Sequence, residues 1–366
     1  MSSLVVRPVL EDHDLLQFVR VPRRVFRNVD SWLPAPEADE LTLFDRDRNL
    51  FFEHAEVELF LAERGEAVVG RIAAFVDHGA DDAVGFFGFF DVIEDADAAA
   101  ALLNAAGDWC KARDCSLLRG PIDFWAVLSA GVMLEGFEHP NYVGFRHAMR
   151  YYSDYLEAAE FAPHADLAVW EYGHRPFPAP ARGIANAVWA NPSLEAHHFD
   201  PRSDEDWGEV ADLYARAYVE HHWYYPMSAA ELRLIAAGRV EPAISYIVRL
   251  DGAPVAMAIA IVNETQSSLR VAGMVPPEPV QRVWRTTQRA RTWRQWLFAV
   301  VPEYRGRTIG GLGTALYGRV RDAAEIAGYE RGEAAWTALV AERLRDGLGV
   351  LGAHQYKTFR VYQRDL

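Results

Sequence analysis

One stretch of this chain is written twice. Residues 58–77, ELFLAERGEAVVGRIAAFVD, lie over residues 244–263, ISYIVRLDGAPVAMAIAIVN, without a gap at an offset of 186. In each copy two runs rich in apolar and β-branched residues flank a short turn, Gly65-Glu66 in the first, which is the pattern of a β-hairpin. The agreement extends downstream of the hairpins. FGFFDV at 87–92 corresponds to WLFAVV at 296–301, and each leads into a helical stretch and a further strand. Any two amphipathic hairpins look alike, but several elements agreeing in order favour duplication. A single self-similar pair at half the chain length marks a doubled domain rather than a solenoid. A chain of 366 residues is long enough for two cores.

The first copy reads as strand Val5–Val9, helix Glu11–Val25, the hairpin Glu58–Arg64 and Ala67–Asp77, strand Gly85–Val92, helix Asp95–Cys110 and strand Ser116–Ile122. The copies differ where chemistry is expected. In the second, the apolar strand Trp296–Val301 runs into a loop with Gly306, Gly310, Gly311 and Gly313 and the arginines Arg305 and Arg307, then into a helix, Leu312–Ile326, closed by Gly328. Strand, glycine-rich turn and helix present backbone N–H groups and a positive helix end to phosphate. A tight βα turn with solvated arginines has the same composition, so the glycines alone leave both readings open. In the first copy the same place reads Ile93-Glu94-Asp95-Ala96-Asp97. Three carboxylates there cap the helix and repel an anion, so this half is expected not to bind a phosphorylated cofactor.

The string VPEYRGRTIGGLGTAL resembles the acetyl-CoA signature of the GNAT N-acetyltransferase superfamily, Arg/Gln-x-x-Gly-x-Gly/Ala after the fourth strand; Arg305, Ile309 and Gly310 match, and Thr308 stands where glycine is preferred. The resemblance runs on to the C-terminus, through strand Glu333–Leu339, a helix, and Tyr356 to Tyr362. It implies an α/β (α+β layered) fold of two tandem GNAT-like domains, each a mixed, largely antiparallel sheet flanked by helices. The domains are expected at 1–175 (degenerate) and 193–366 (with the cofactor loop), joined by a proline-containing linker, 176–192. A short helix, Arg182–Trp189, is expected to lead into the second domain.

The same resemblance implies acetyl-CoA as cosubstrate. Backbone groups of Ala299, Val300 and Val301 would hold its pantetheine arm, and Arg305, Gly306, Arg307, Thr308, Ile309, Gly310 and Gly311 its pyrophosphate. The family tyrosine that protonates the departing thiolate has a counterpart in the first half, among Tyr151, Tyr152 and Tyr155, where core packing is the favoured role. At its place in the second half the chain reads RLRDGLGVLG, 343–352, without a tyrosine. Tyr356 is a stand-in at a different spacing. His222, in the run Glu220 to Met227, is a second catalytic candidate, because a near-neutral imidazole can take an amine proton; packing is an equally good role for so aromatic a run. An insert at 270–294 carries Arg270, Arg282, Arg285, Arg289, Arg291 and Arg294, either a basic wall for an anion or a solvated face paired with carboxylates.

Composition narrows the rest. The net charge is −15, from 37 basic and 52 acidic residues, which argues against nucleic acid or an anionic membrane as main partner. Cys110 and Cys115 are too few for a disulfide framework or a metal site and are expected as free thiols on one helix. No His/Cys/carboxylate set has metal spacing. No apolar run reaches the roughly 18 residues of a membrane span, and MSSLVVRPVLEDHD lacks a signal-peptide pattern, so a cytoplasmic protein is expected. The leading expectation is acetyl transfer to a small-molecule or peptide amine in the C-terminal half, with a homodimer left open. A non-catalytic acyl-CoA-binding protein is the first alternative. Aminoacyl transfer from charged tRNA is the second.

Overall fold

The structure is a computed structural model. It describes all residues except 1, 33, 81–82, 142–144, 174–175, 220–226, 237, 263–291, 307–309 and 339–346, and it leaves out the side chains of 335–338. Contacts divide the described chain into two compact units, Met1–Leu167 with Lys357–Leu366, and Ala168–Gln266 with Arg285–Tyr356.

The first unit builds its sheet from β1 (Leu4–Pro8), β2 (Ala55–Arg64), β3 (Ala67–Asp77), β4 (Val84–Val92) and β5 (Leu117–Gly120), neighbours in that order. All pair antiparallel except β4 and β5, which are parallel. Helices α1 (Asp12–Val25), α2 (Glu37–Leu43) and α3 (Ala96–Lys111) belong to this unit. Every residue of β4 is buried, which is why its sequence, VGFFGFFDV, is continuously apolar instead of alternating. Around it Phe44, Phe51, Phe75 and Phe89 each set a ring against Phe124.

Two further strands, β6 (Val132–Glu135) and β7 (Ala162–Tyr172), and helix α4 (Tyr152–Ala158) come next, with β7 contributing to both units. The second unit repeats the strand plan with β8 (Leu194–His198), β9 (Tyr246–Leu250), β10 (Ala253–Val262), β11 (Thr292–Val300) and β12 (Arg331–Ala338). Again all pairs are antiparallel but the last, β11 with β12. Its helices include α5 (Ala179–Trp189), α6 (Asp204–Tyr218), α7 (Ala229–Ala236) and α8 (Leu312–Ile326).

Three findings differ from the sequence reading. The chain's last strand, β13 (Ala353–Asp365), was expected with the second half, but from Lys357 on it lies with the first unit. There it pairs antiparallel with β5, Tyr362 against Gly120, and with β6. The helix expected at Arg182–Trp189 is present but starts three residues earlier, at Ala179, and α5 packs on α8 instead of serving as a linker, with Trp189 Nε1 donating to Ala315 O at 3.3 Å. Finally, α3 ends at Lys111, so Cys115 lies beyond it; both cysteines are buried and neither is in a disulfide.

Candidate functional site

β11 and β12 run parallel from Thr292 opposite Arg331 to Gln295 opposite Ala334. Past Gln295, β11 stays paired with β10 as far as Val300 opposite Ala256, with one change of register on the way. A bulge at Ile259/Ala260 marks the change. It is held by Gln295, a buried amide whose Nε2 donates to Ile259 O (3.0 Å) and Leu297 O (2.8 Å). Val301 N donates to Val255 O on the β10 side at 3.0 Å. Successive residues of a strand turn their polar groups to opposite sides, so Ala299 and Val301 face β10. Phe298 and Val300 present theirs to the open side. Of Ala299, Val300 and Val301, Val300 alone presents its backbone groups to that side, as Phe298 does.

That open edge already has partners. The Tyr218 hydroxyl, at the end of α6, donates to Phe298 O at 3.0 Å and accepts from Phe298 N at 3.3 Å. Arg305 Nε donates to Val300 O (2.8 Å), and its Nη2 donates to Ala217 O (2.7 Å), near the negative end of α6. Burial keeps the Tyr218 phenol above its ordinary pKa, so it is protonated and able to donate at neutral pH.

After Arg305 the chain turns at Gly306 (φ 70°) and again at Gly311 (φ 90°), which precedes α8 with no side chain capping the helix. A Cβ on Gly311 would lie 2.2 Å from Ile184 Cγ2 of α5, so the close approach and the positive φ both require glycine. Gly311 itself has no side chain with which to cap the first N–H groups of α8, and such groups suit an anion. Gly310 sits beside Gly306 O. Arg307, Thr308 and Ile309 lie outside the described residues, as do His222 and the insert at 270–291. Of the insert's arginines Arg294 is described, buried in β11 beside Glu333. Burial lowers its pKa to about 10, against the pull of Glu333. Tyr356 donates its hydroxyl to that same Glu333, so its proton is engaged with a carboxylate.

The first unit fills the corresponding places with its own side chains. Register equates Ile93, bonded to Val69 O, with Val301, bonded to Val255 O. Val92 therefore matches Val300, one residue off the sequence alignment. Val92 N donates to Tyr152 Oη (3.0 Å), and its carbonyl accepts from Tyr151 (2.9 Å) and Tyr152 (3.3 Å). Phe89 N is taken by Asp123 at 2.6 Å. At the start of α3, Asp95 accepts from Ala98 N and pairs with Arg64. Among the described residues no group of three or more His, Cys, Asp or Glu could hold a metal, and no helix is long and apolar enough to cross a membrane.

Two copies of a five-stranded plan, each antiparallel but for its last pair and each with a helix between the two parallel strands, define the tandem GNAT fold. Solved structures agree: a tandem GNAT protein from the clavulanic acid biosynthesis pathway (without AcCoA) superposes with a TM-score of 0.63 at 14% identity, over 99% of this chain and 98% of that one. Among curated proteins the chain is similar to the bacterial ceramide synthase of Caulobacter vibrioides (strain NA1000 / CB15N), 25% identical over 401 aligned positions covering 100% of this chain and 98% of that protein. It is similar also to protein YghO of Escherichia coli (strain K12), 24% identical over 377 positions, 99% and 95% of the two chains. No family model matches.

Proposed function

We propose that this protein is an N-acyltransferase that takes an acyl group from a CoA thioester bound in its second unit and passes it to an amine. The observation that carries the reading is the conjunction, at one end of β11, of backbone groups of Phe298 and Val300 that are bonded to side chains instead of to a strand, and an N-terminus of α8 that opens on a glycine. An amide-bearing arm pairs with such backbone groups, and a pyrophosphate suits such a helix end. The N–H groups of Arg307 to Gly311 and of the first turn of α8 would face the pyrophosphate, and Val300 and Phe298 the arm. In the reaction the amine nitrogen attacks the thioester carbonyl, the C–N bond forms, the C–S bond breaks, and the thiolate takes up a proton as the amine loses one. Positioning, and a strand N–H at the developing oxyanion, supply the acceleration.

The relative named a ceramide synthase suggests the acceptor class. A ceramide is the N-acyl amide of a long-chain amino alcohol, so we extend the proposal to a lipid amine as acceptor and a fatty acyl-CoA as donor, with acetyl-CoA as the short-chain comparison. The test is thiol release and amide formation from palmitoyl-CoA or acetyl-CoA with sphinganine, alongside calorimetric titration with CoA. Amide formation is expected. No CoA binding at millimolar concentration would sink the proposal. Binding without thiol release across an amine panel would support instead a non-catalytic acyl-CoA carrier, a reading favoured by the commitment of Tyr356 to Glu333.

A further inference from the structure

The proposed donor edge is not bare. Phe298 would offer its N–H and its C=O to a passing amide group, and the Tyr218 hydroxyl holds both at 3.3 and 3.0 Å. A hydroxyl can do this because it carries one donor and two acceptor sites. It makes the pair of contacts that the C=O of one amide and the N–H of the next along the donor arm would make. We infer that Tyr218 is a displaceable occupant of the acyl donor's place, a side chain that holds the β11 edge in the absence of donor and gives it up when the donor's arm pairs there. This inference rests on the reading of β11 as the donor edge.

Position separates this tyrosine from a structural one. Tyr218 is the last residue of α6 and is half-buried, so a change of its side-chain rotamers frees Phe298 without unwinding a helix. The first unit offers the contrast within the same chain. Tyr152 makes the same double contact to Val92, but it is 1% exposed, and Tyr151 bonds the same carbonyl. That edge is sealed by two hydroxyls in a packed interior. The Tyr218 edge is closed by one hydroxyl at a helix end. Arg305, which ties Val300 O to Ala217 O, holds the end of α6 against β11 independently of the phenol, so the backbone of α6 need not move when the phenol does.

Removing the occupant should help the donor. A neutral hydrogen bond contributes on the order of 1 kcal/mol net; of the phenol's two contacts the one at 3.3 Å is long, so a donor that no longer displaces the phenol gains about one such bond. Tyr218→Phe is therefore expected to lower the Kd for CoA about fivefold in calorimetric titration, whereas Tyr152→Phe should leave it unchanged. Circular dichroism checks that each variant is folded, and Tyr218→Met, which keeps bulk without a hydroxyl, repeats the measurement if the phenylalanine variant is not. Should wild type bind CoA and both Tyr218 variants bind it equally or more weakly, the inference is wrong while the donor site stands. If neither wild type nor variants bind CoA, the donor site itself is wrong and the inference falls with it. Binding by the variants alone would show the occupant in its strongest form.

Discussion

His147 shows how burial sets chemistry at the scale of one residue. Its ring is 6% exposed, edge-on to Phe26 and Phe137, and its Nδ1 has no hydrogen-bond partner among the described residues. Burial, with the nearby Lys357 charge, pushes its pKa down to about 3. The unfolded chain titrates this group near the ordinary value of about 6.5. Below that pH the unfolded state takes up a proton that the folded state refuses. The stability His147 contributes is therefore complete above about 6.5 and lost as pH falls from there toward about 3. Between pH 6.5 and 5 the loss should be about 2 kcal/mol, from ~1.4 kcal/mol per pH unit. Urea unfolding at the two pH values reads it, and His147→Gln should flatten the difference; an unchanged pH dependence in that variant would show that other groups carry it. Arg71, fully buried among Asp91, Glu40 and Phe18 O, is a second residue whose role the sequence could not show. Its position in a hairpin strand is legible, but its partners come from two helices, α1 and α2, and a neighbouring strand.

At the scale of elements, β11 and α8 were read correctly from local pattern, because an apolar run, a proline turn and glycines at tight turns are all encoded within a few residues. The reason for Gly311 was not. Its Cβ space is filled by Ile184 from α5, more than a hundred residues earlier in the chain. Gly311→Ala is expected to lower stability by about 1–3 kcal/mol, through left-handed backbone strain and the clash with Ile184. Thermal unfolding measures it. Adding Ile184→Ala should recover the clash and leave the strain; no recovery would mean that the backbone alone is responsible. Sequence alignment also placed Val92 against Val301, one residue away from the register. Both copies carry one bulge in this strand, and Phe87 matches Gln295 as Val92 matches Val300, so the runs align without a gap one residue away; two continuously apolar runs do not by themselves say which alignment is right.

At the scale of the whole molecule, the informative element is β13. Its last residues pair with β5, and Phe359, Val361 and Tyr362 are at most 1% exposed in the first unit's core. Removing 357–366 should leave β5 with an open edge and expose that core. Limited proteolysis of the truncated chain is expected to cut within residues 1–167 before the second unit is lost, and equal resistance of both units would refute the assignment. The sequence by itself determined the duplicated plan, the hairpins, the glycine-rich turn before α8 and the acidic start of α3. Those arise from residue periods, turn chemistry and capping over a few positions. Tertiary structure decided that the chain's end completes the first unit, that Val300 and Phe298 form the open edge, and that Tyr218 holds it. Strand partners some 240 residues apart, and a phenol bonding a backbone 80 residues away, depend on which surfaces meet after folding. No local pattern of apolar and polar residues records that.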